Sequence, residues 1–149
     1  MMDASVVADA SVWVSWLITH DANHDATRLW MNRYISAGGL LVAPALVLIE
    51  VASAISRQTR QVAQAKRVAK DLSSLRTIRI VSLDTVLVWA AVKVAADLKL
   101  RAGDATYVAV AQQLKVPLVS WDKVQLQQGR NLIITYTPTT YTFEQPDHP

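Results

Sequence analysis

Five short apolar runs, SVVAD, LLVAP, TIRIVSL, PLVSWD and NLIITY, recur along this chain with longer stretches of amphipathic or apolar helical pattern between them. Strands separated by helix-length segments cannot close as tight hairpins. They pair in parallel, and the intervening helices cover the faces of the sheet. The chain is therefore expected to fold as an α/β domain on a parallel sheet, with helices over Ser11–Ile18, Asn23–Ala37, Pro44–Gln58, Gln61–Leu75, Asp84–Leu98, Gly103–Leu114 and, briefly, Val124–Gln128. Pro44 suits the first turn of its helix, Gly38 and Gly39 suit a helix stop, and Asp84 suits a cap.

A length of 149 residues fits one such domain. It is expected to occupy residues 1–137, with 138–149 a polar, proline-containing tail in which Tyr141 and Phe143 alternate as edge-strand residues do. With 52% hydrophobic and only 18% charged residues, the chain carries apolar surface that a partner is expected to cover. The absence of cysteine excludes disulfides and thiolate metal sites and suits a reducing, cytoplasmic setting. No secretory signal is expected, because Asp3 and no basic residue precede the first apolar stretch. The longest segment without Lys, Arg or His, Tyr34–Ser56, is broken by two glycines, Pro44 and Glu50, so no membrane span is expected. A net charge of +3 decides little about partners.

Four acids interrupt apolar surroundings: Asp9 in VVADAS, Glu50 in LVLIEV, Asp104 in AGDATYVAV and Asp122 in LVSWDK. Asp9 is the only charged residue between Asp3 and Asp21, Glu50 between Arg33 and Arg57, and Asp104 between Arg101 and Lys115. Carboxylates in such runs need a compensating partner, and no Lys or Arg within them provides one. In a parallel sheet, Asp9 and Asp122 emerge at the same carboxyl edge, where open α/β sheets bind ligands. Asp104 opens a helix, and Glu50, about two turns into its own helix, must face that edge or remain buried at a cost. Two carboxylates about 4 Å apart repel by roughly 4 kcal/mol at an effective dielectric near 20, which raises their pKa values or recruits a cation. Oxygen ligands alone select a hard divalent ion, Mg²⁺ or Mn²⁺, which polarises phosphoryl oxygens and acidifies bound water.

The blocks VVADASVWV, LIEVASAI, LRAGDATYVAVA and PLVSWDK resemble those of PIN-domain ribonucleases, particularly VapC-like toxins of type II toxin–antitoxin pairs, over about Val6 to Tyr136. The resemblance implies a three-layer α/β/α domain with a five-stranded parallel sheet in the order 3-2-1-4-5. It assigns Asp9, Glu50, Asp104 and Asp122 as metal-binding catalytic acids, and matches Ser11 to the family's hydroxyl residue two places after the first acid. Ser120 stands where relatives usually carry threonine, and the bulky Trp121 beside it is a departure. The implied activity is endoribonuclease cleavage dependent on Mg²⁺ or Mn²⁺, leaving a 5′-phosphate and a 3′-hydroxyl. The implied partners are an RNA substrate, a cognate antitoxin and a second copy in a homodimer.

Blander readings stand beside these. Asp9 and Ser11 both suit a helix N-cap, Asp104 an ordinary first turn and Asp122 a turn. Thr106 and Ser120 are weaker candidates for supporting the acids. His20 and His24 lie four apart but lack the Glu of an HExxH motif. Trp13, Trp16 and Trp30 at helical spacing suit packing better than base stacking. Arg57, Arg60, Lys66, Arg67 and Lys70 form a basic stretch that fits RNA, an acidic partner or a solvated face. Two other classes compete, one sharing a parallel sheet with acids at its carboxyl edge and one keeping the fold without the chemistry. A phosphoacceptor signalling domain needs an acidic pair after the first strand, where Asp9 stands alone, and an Asp directly after the third, where Asp84 lies beyond the strand end. A non-catalytic RNA- or protein-binding domain would not need all four acids.

Overall fold

The computed structural model describes residues 4–143. Its five strands, β1 (Ser5–Ala8), β2 (Leu40–Pro44), β3 (Ile78–Val81), β4 (Leu118–Val119) and β5 (Thr135–Tyr136), form one parallel sheet in the order β3-β2-β1-β4-β5. Seven helices connect them: α1 (Ala10–Leu17), α2 (His24–Ser36), α3 (Leu46–Thr59), α4 (Val62–Ser73), α5 (Thr85–Leu98), α6 (Ala102–Leu114) and α7 (Lys123–Gly129). Helices α1 to α4 pack among themselves, whereas α6 holds α5 and α7 and lies on β1, β2 and β4. This is the expected three-layer α/β/α arrangement.

The central strands β1 and β2 are apolar on both faces because helices cover both. Their core residues Val6, Val7, Leu41 and Val42 are buried, as is every residue of α6 from Ala105 to Ala111. Alanines at 105, 109 and 111 let α6 lie close to the strands. Ala37 ends α2 and Gly38 follows at φ +85°, the left-handed turn that glycine takes without strain. Gly39 is required for space, since a Cβ there would come within 2.4 Å of the Tyr34 ring.

Two local expectations change. Pro44 closes β2 rather than opening α3, because the Ala45 N–H donates to the Val81 carbonyl at 2.8 Å and carries the sheet pairing one residue further. Of the segment expected as a tail, residues 138–143 lie against the domain: Tyr141 meets the rings of Trp30, Tyr34, Tyr136 and Phe143 edge-on, and the Arg33 guanidinium sits 4.0 Å above the Phe143 ring. Residues 144–149 of that segment lie outside the described residues. Among the described residues, no helix is long and apolar enough to cross a membrane.

Candidate active site

The parallel pairing of β1 with β4 builds the candidate site. Ala8 pairs with Val119, and the Asp9 N–H extends that pairing to the Val119 carbonyl at 3.2 Å, so the residues that follow the two strands lie side by side at the carboxyl edge. Ser120 consequently donates to Asp9 Oδ2 at 2.9 Å, and Ser11, from the first turn of α1, donates to Asp9 Oδ1 at 2.5 Å. Ser11 is therefore a partner of Asp9 rather than a helix cap; Asp9 itself caps α1, through a 3.4 Å bond from the Val12 N–H. The Asp9 side chain is almost wholly buried, at 4% exposure. Burial pushes its carboxyl up to about 7, against the lowering effect of the bonds from Ser11, Ser120 and Val12, and the charge of Asp104 adds to the rise.

Glu50 is the fifth residue of α3 and half-buried. The buried hydroxyl of Tyr107, on α6, donates to Glu50 Oε1 at 2.8 Å. A Cβ added at Gly103 would lie 3.5 Å from Glu50 Oε2, so the start of α6 abuts the other carboxylate oxygen. Burial raises the Glu50 pKa above its usual range, opposed by the Tyr107 bond and reinforced by Asp104. Asp104, in the first turn of α6, is likewise raised by burial and then by Asp122, with Arg101 pulling the other way. Asp122 caps α7, accepting from the Gln125 N–H at 3.0 Å. Thus Asp104 is in electrostatic reach of each of the other three acids.

Among the described residues, no three His, Asp or Glu side chains are gathered tightly enough to form a finished ion-binding group. The donor chemistry nonetheless fits a hard divalent cation. The acids offer oxygen only, the charge of Asp104 raises the pKa values of Asp9 and Glu50 while that of Asp122 raises Asp104's, and the one ion pair among the described residues, Lys93 with Asp97, lies elsewhere on α5.

Fully buried Gln125 and Tyr107 are supporting residues that the sequence reading did not single out. The Gln125 side chain donates to the Asp104 carbonyl at 3.2 Å, and its Oε1 lies 2.9 Å from Ser120 Oγ, whose single proton serves either Asp9 or Gln125; the amide thus joins the segments that carry Asp104 and Asp122. Spacing was the available signal: Gln125 stands at the third position after the cap Asp122, and Tyr107 one helical turn beyond Asp104. His24 Nδ1 lies 2.8 Å from the Ser15 carbonyl, which is a structural role. Thr106 back-bonds to the Ala102 carbonyl at 2.7 Å and does not reach the acids through that hydroxyl. Trp13 and Trp30 are buried in the core.

A cleft of about 450 Å³ opens beside these groups, lined by Ser11, Glu50, Trp121, Asn23, Ser53 and Arg57 among others. Of the basic stretch noted in the sequence, Arg57 is the member that reaches it.

The PIN domain family model matches residues 6–130. No curated protein sequence matches the chain. Among solved structures, the Mycobacterium tuberculosis toxin VapC20, described as cleaving the sarcin-ricin loop, is similar with a TM-score of 0.66 at 19% identity, over 79% of this chain and 90% of that one. FitAcB from Neisseria gonorrhoeae is similar with a TM-score of 0.69 at 15% identity, over 91% and 99% of the two chains. DNA-bound VapBC from Salmonella typhimurium gives 0.67 at 12% identity, over 91% and 98%. With the family model running from β1 through β4 and all seven helices, and all four acids inside it, the chain belongs to the PIN domain family.

Proposed function

We propose that this protein is a metal-dependent endoribonuclease acting as the toxin of a toxin–antitoxin pair, with Asp9, Glu50, Asp104 and Asp122 as its cation-holding acids. The observation that carries the reading is Asp9: a carboxylate buried at the carboxyl edge where β1 and β4 lie side by side, oriented by two serines and lying within the field of Asp104. Likeness to toxins solved in VapBC and FitAB complexes supports the biological role.

A bound Mg²⁺ or Mn²⁺ supplies Lewis acidity to a phosphodiester and a more acidic water. The chain's own residues do the positioning. Ser11 and Ser120 fix both oxygens of Asp9, and Tyr107 fixes one oxygen of Glu50. Gln125 ties the Asp104 and Asp122 segments together. Arg57, in the cleft wall, is placed to receive a phosphate of the RNA strand. On α5, Val86, Trp89 and Val92 are 71%, 67% and 48% exposed and give an apolar stripe suited to a second protomer.

The direct test is cleavage of RNA by the purified protein with Mg²⁺, Mn²⁺ or EDTA, beside Asp9→Asn and Glu50→Gln. Cleavage that needs the cation and is lost in both variants is expected; cleavage unchanged in both variants rejects the site. Growth arrest on expression, relieved by a small co-expressed partner, separates a toxin from a housekeeping nuclease.

A further inference from the structure

We propose that the cleft beside the acids is a base-binding subsite in which Trp121 is the stacking wall for one unpaired nucleobase of a single-stranded RNA. The proposal rests on the nuclease reading for its substrate class and adds how that substrate is held.

Trp121 directly follows Ser120 and lines the cleft together with Glu50, so an occupant of the cleft meets a wall that carries both this residue and one of the four acids. The residue is held at both ends. Its N–H donates to Ser11 Oγ at 3.0 Å, the hydroxyl that also donates to Asp9. Its indole Nε1 donates to Thr27 Oγ1 at 2.8 Å. An indole N–H can only donate, so Thr27 must accept there and pass its own proton to Ser15, 2.7 Å away, which donates to the Val12 carbonyl at 2.9 Å. This chain runs in one direction, and Thr27 and Ser15 are buried, so the ring is fixed before any ligand arrives.

The rest of the cleft suits a nucleotide. Arg57 lies on the same face of α3 as Glu50 and Ser53, two turns from Glu50, and forms no ion pair among the described residues. Asp21 and Asn23, from the α1–α2 loop, also line the cleft and are of the carboxylate and amide types that read base edges; one Asp21 oxygen accepts from the Asn23 N–H at 2.8 Å. An aromatic plane, a guanidinium and edge-reading carboxylate and amide groups are what an unpaired nucleotide requires, and a volume of about 450 Å³ accommodates one.

The test is binding of labelled hexaribonucleotides, each with one base removed in turn, by fluorescence anisotropy without divalent cations and again with Ca²⁺. Base–aromatic stacking predicts that one abasic position weakens wild-type binding roughly tenfold. Trp121→Leu should bind every abasic series member alike, and Trp121→Phe should keep part of the dependence. Thr27→Val, which frees the indole without removing it, should show a smaller loss, and thermal melting shows whether each variant folds. No positional dependence in wild type, retained dependence in Trp121→Leu, no single-strand binding, or a Trp121→Leu defect confined to a protein partner overturns the proposal. The two readings fail separately. Base-dependent binding without Mg²⁺- or Mn²⁺-driven cleavage removes the nuclease assignment, whereas cleavage indifferent to Trp121 removes the subsite.

Discussion

Asp9 and Asp84 begin two helices with the same backbone, φ −80° and ψ 175° at both positions, yet their side chains live in different worlds. Asp84 is exposed and accepts from the Leu87 N–H at 2.8 Å, a well-formed cap on α5. Asp9 is buried, its corresponding bond to Val12 is stretched to 3.4 Å, and Ser11 and Ser120 hold the two oxygens instead. Backbone geometry thus makes both residues caps, while the neighbouring strand gives one of them the burial and the non-local donors of a candidate site. Ser120 reaches Asp9 only because β4 lies beside β1, and among the described residues no non-local donor meets the Asp84 carboxylate. The lesson is that a capping geometry does not argue against function; burial together with non-local donors argues for it.

The largest expected effect breaks the comparison at the level of activity. Because an ion-holding carboxylate contributes several kcal/mol of transition-state stabilisation, Asp9→Asn should lower cation-dependent RNA cleavage by about a hundredfold or more. Asp84→Asn should leave it within about twofold. Equal losses, or none in either, measured as initial rates on one RNA, would show that the two caps do not differ in kind.

Stability should move in the opposite sense. The Asp9 carboxyl rises from 3.8 to about 7 in the folded protein, so between roughly pH 4 and pH 7 the folded state keeps a proton that the unfolded state has released. Raising the pH through that window removes stability from the cation-free protein, on the order of 4 kcal/mol at most by linkage. An asparagine carries no such charge, and its amide can donate to Ser120, leaving the Ser120 proton for Gln125. Asp9→Asn should therefore raise Tm at pH 7 in EDTA by several degrees, with the gain shrinking toward pH 4. Added Mg²⁺ should raise the Tm of wild type but not of the variant. Scanning calorimetry at three pH values checks both signs.

How far the molecule could be read from its residues follows the same division between local and non-local causes. The strand and helix alternation was legible because each element carries its own apolar period, and Asp9, Glu50 and Asp104 stood out because charge in an apolar run is costly. The contact between Ser120 and Asp9 needs the strand order, which came from resemblance to a family and not from any local pattern. Tyr107 reads as an ordinary core aromatic and Gln125 as a surface amide until the packing of α6 on α3 and α7 is known. Trp121 was a departure without a direction, because its partner Thr27 lies 94 residues earlier. Tyr141 and Phe143 sat in a segment whose composition suggests a tail, yet four aromatic neighbours and Arg33 give them a surface to cover.

A smaller effect sharpens the comparison from the side of Glu50, which has one donor where Asp9 has two hydroxyls. Tyr107→Phe removes that donor and little volume from a buried position. The Mg²⁺ concentration giving half-maximal cleavage should rise about tenfold, the range seen when a partner orienting a metal ligand is lost, while Tm changes by a few degrees. An unchanged cation requirement would show that Tyr107 only packs.

The smallest effect isolates what a cap contributes when it is nothing else. Asp84→Ala removes a single 2.8 Å bond to the first turn of α5 and leaves the Leu87 N–H to water, which costs about 1 kcal/mol. In a domain of this size that lowers Tm by about 2–4 °C. Cleavage rate and cation requirement should match wild type, because Asp84 opens α5 beyond β3, at the far edge of the sheet from β1 and β4. If Asp84→Ala instead impaired cleavage while leaving Tm alone, the exposed cap would carry function without burial or non-local donors, and the distinction between the two helix starts would fail.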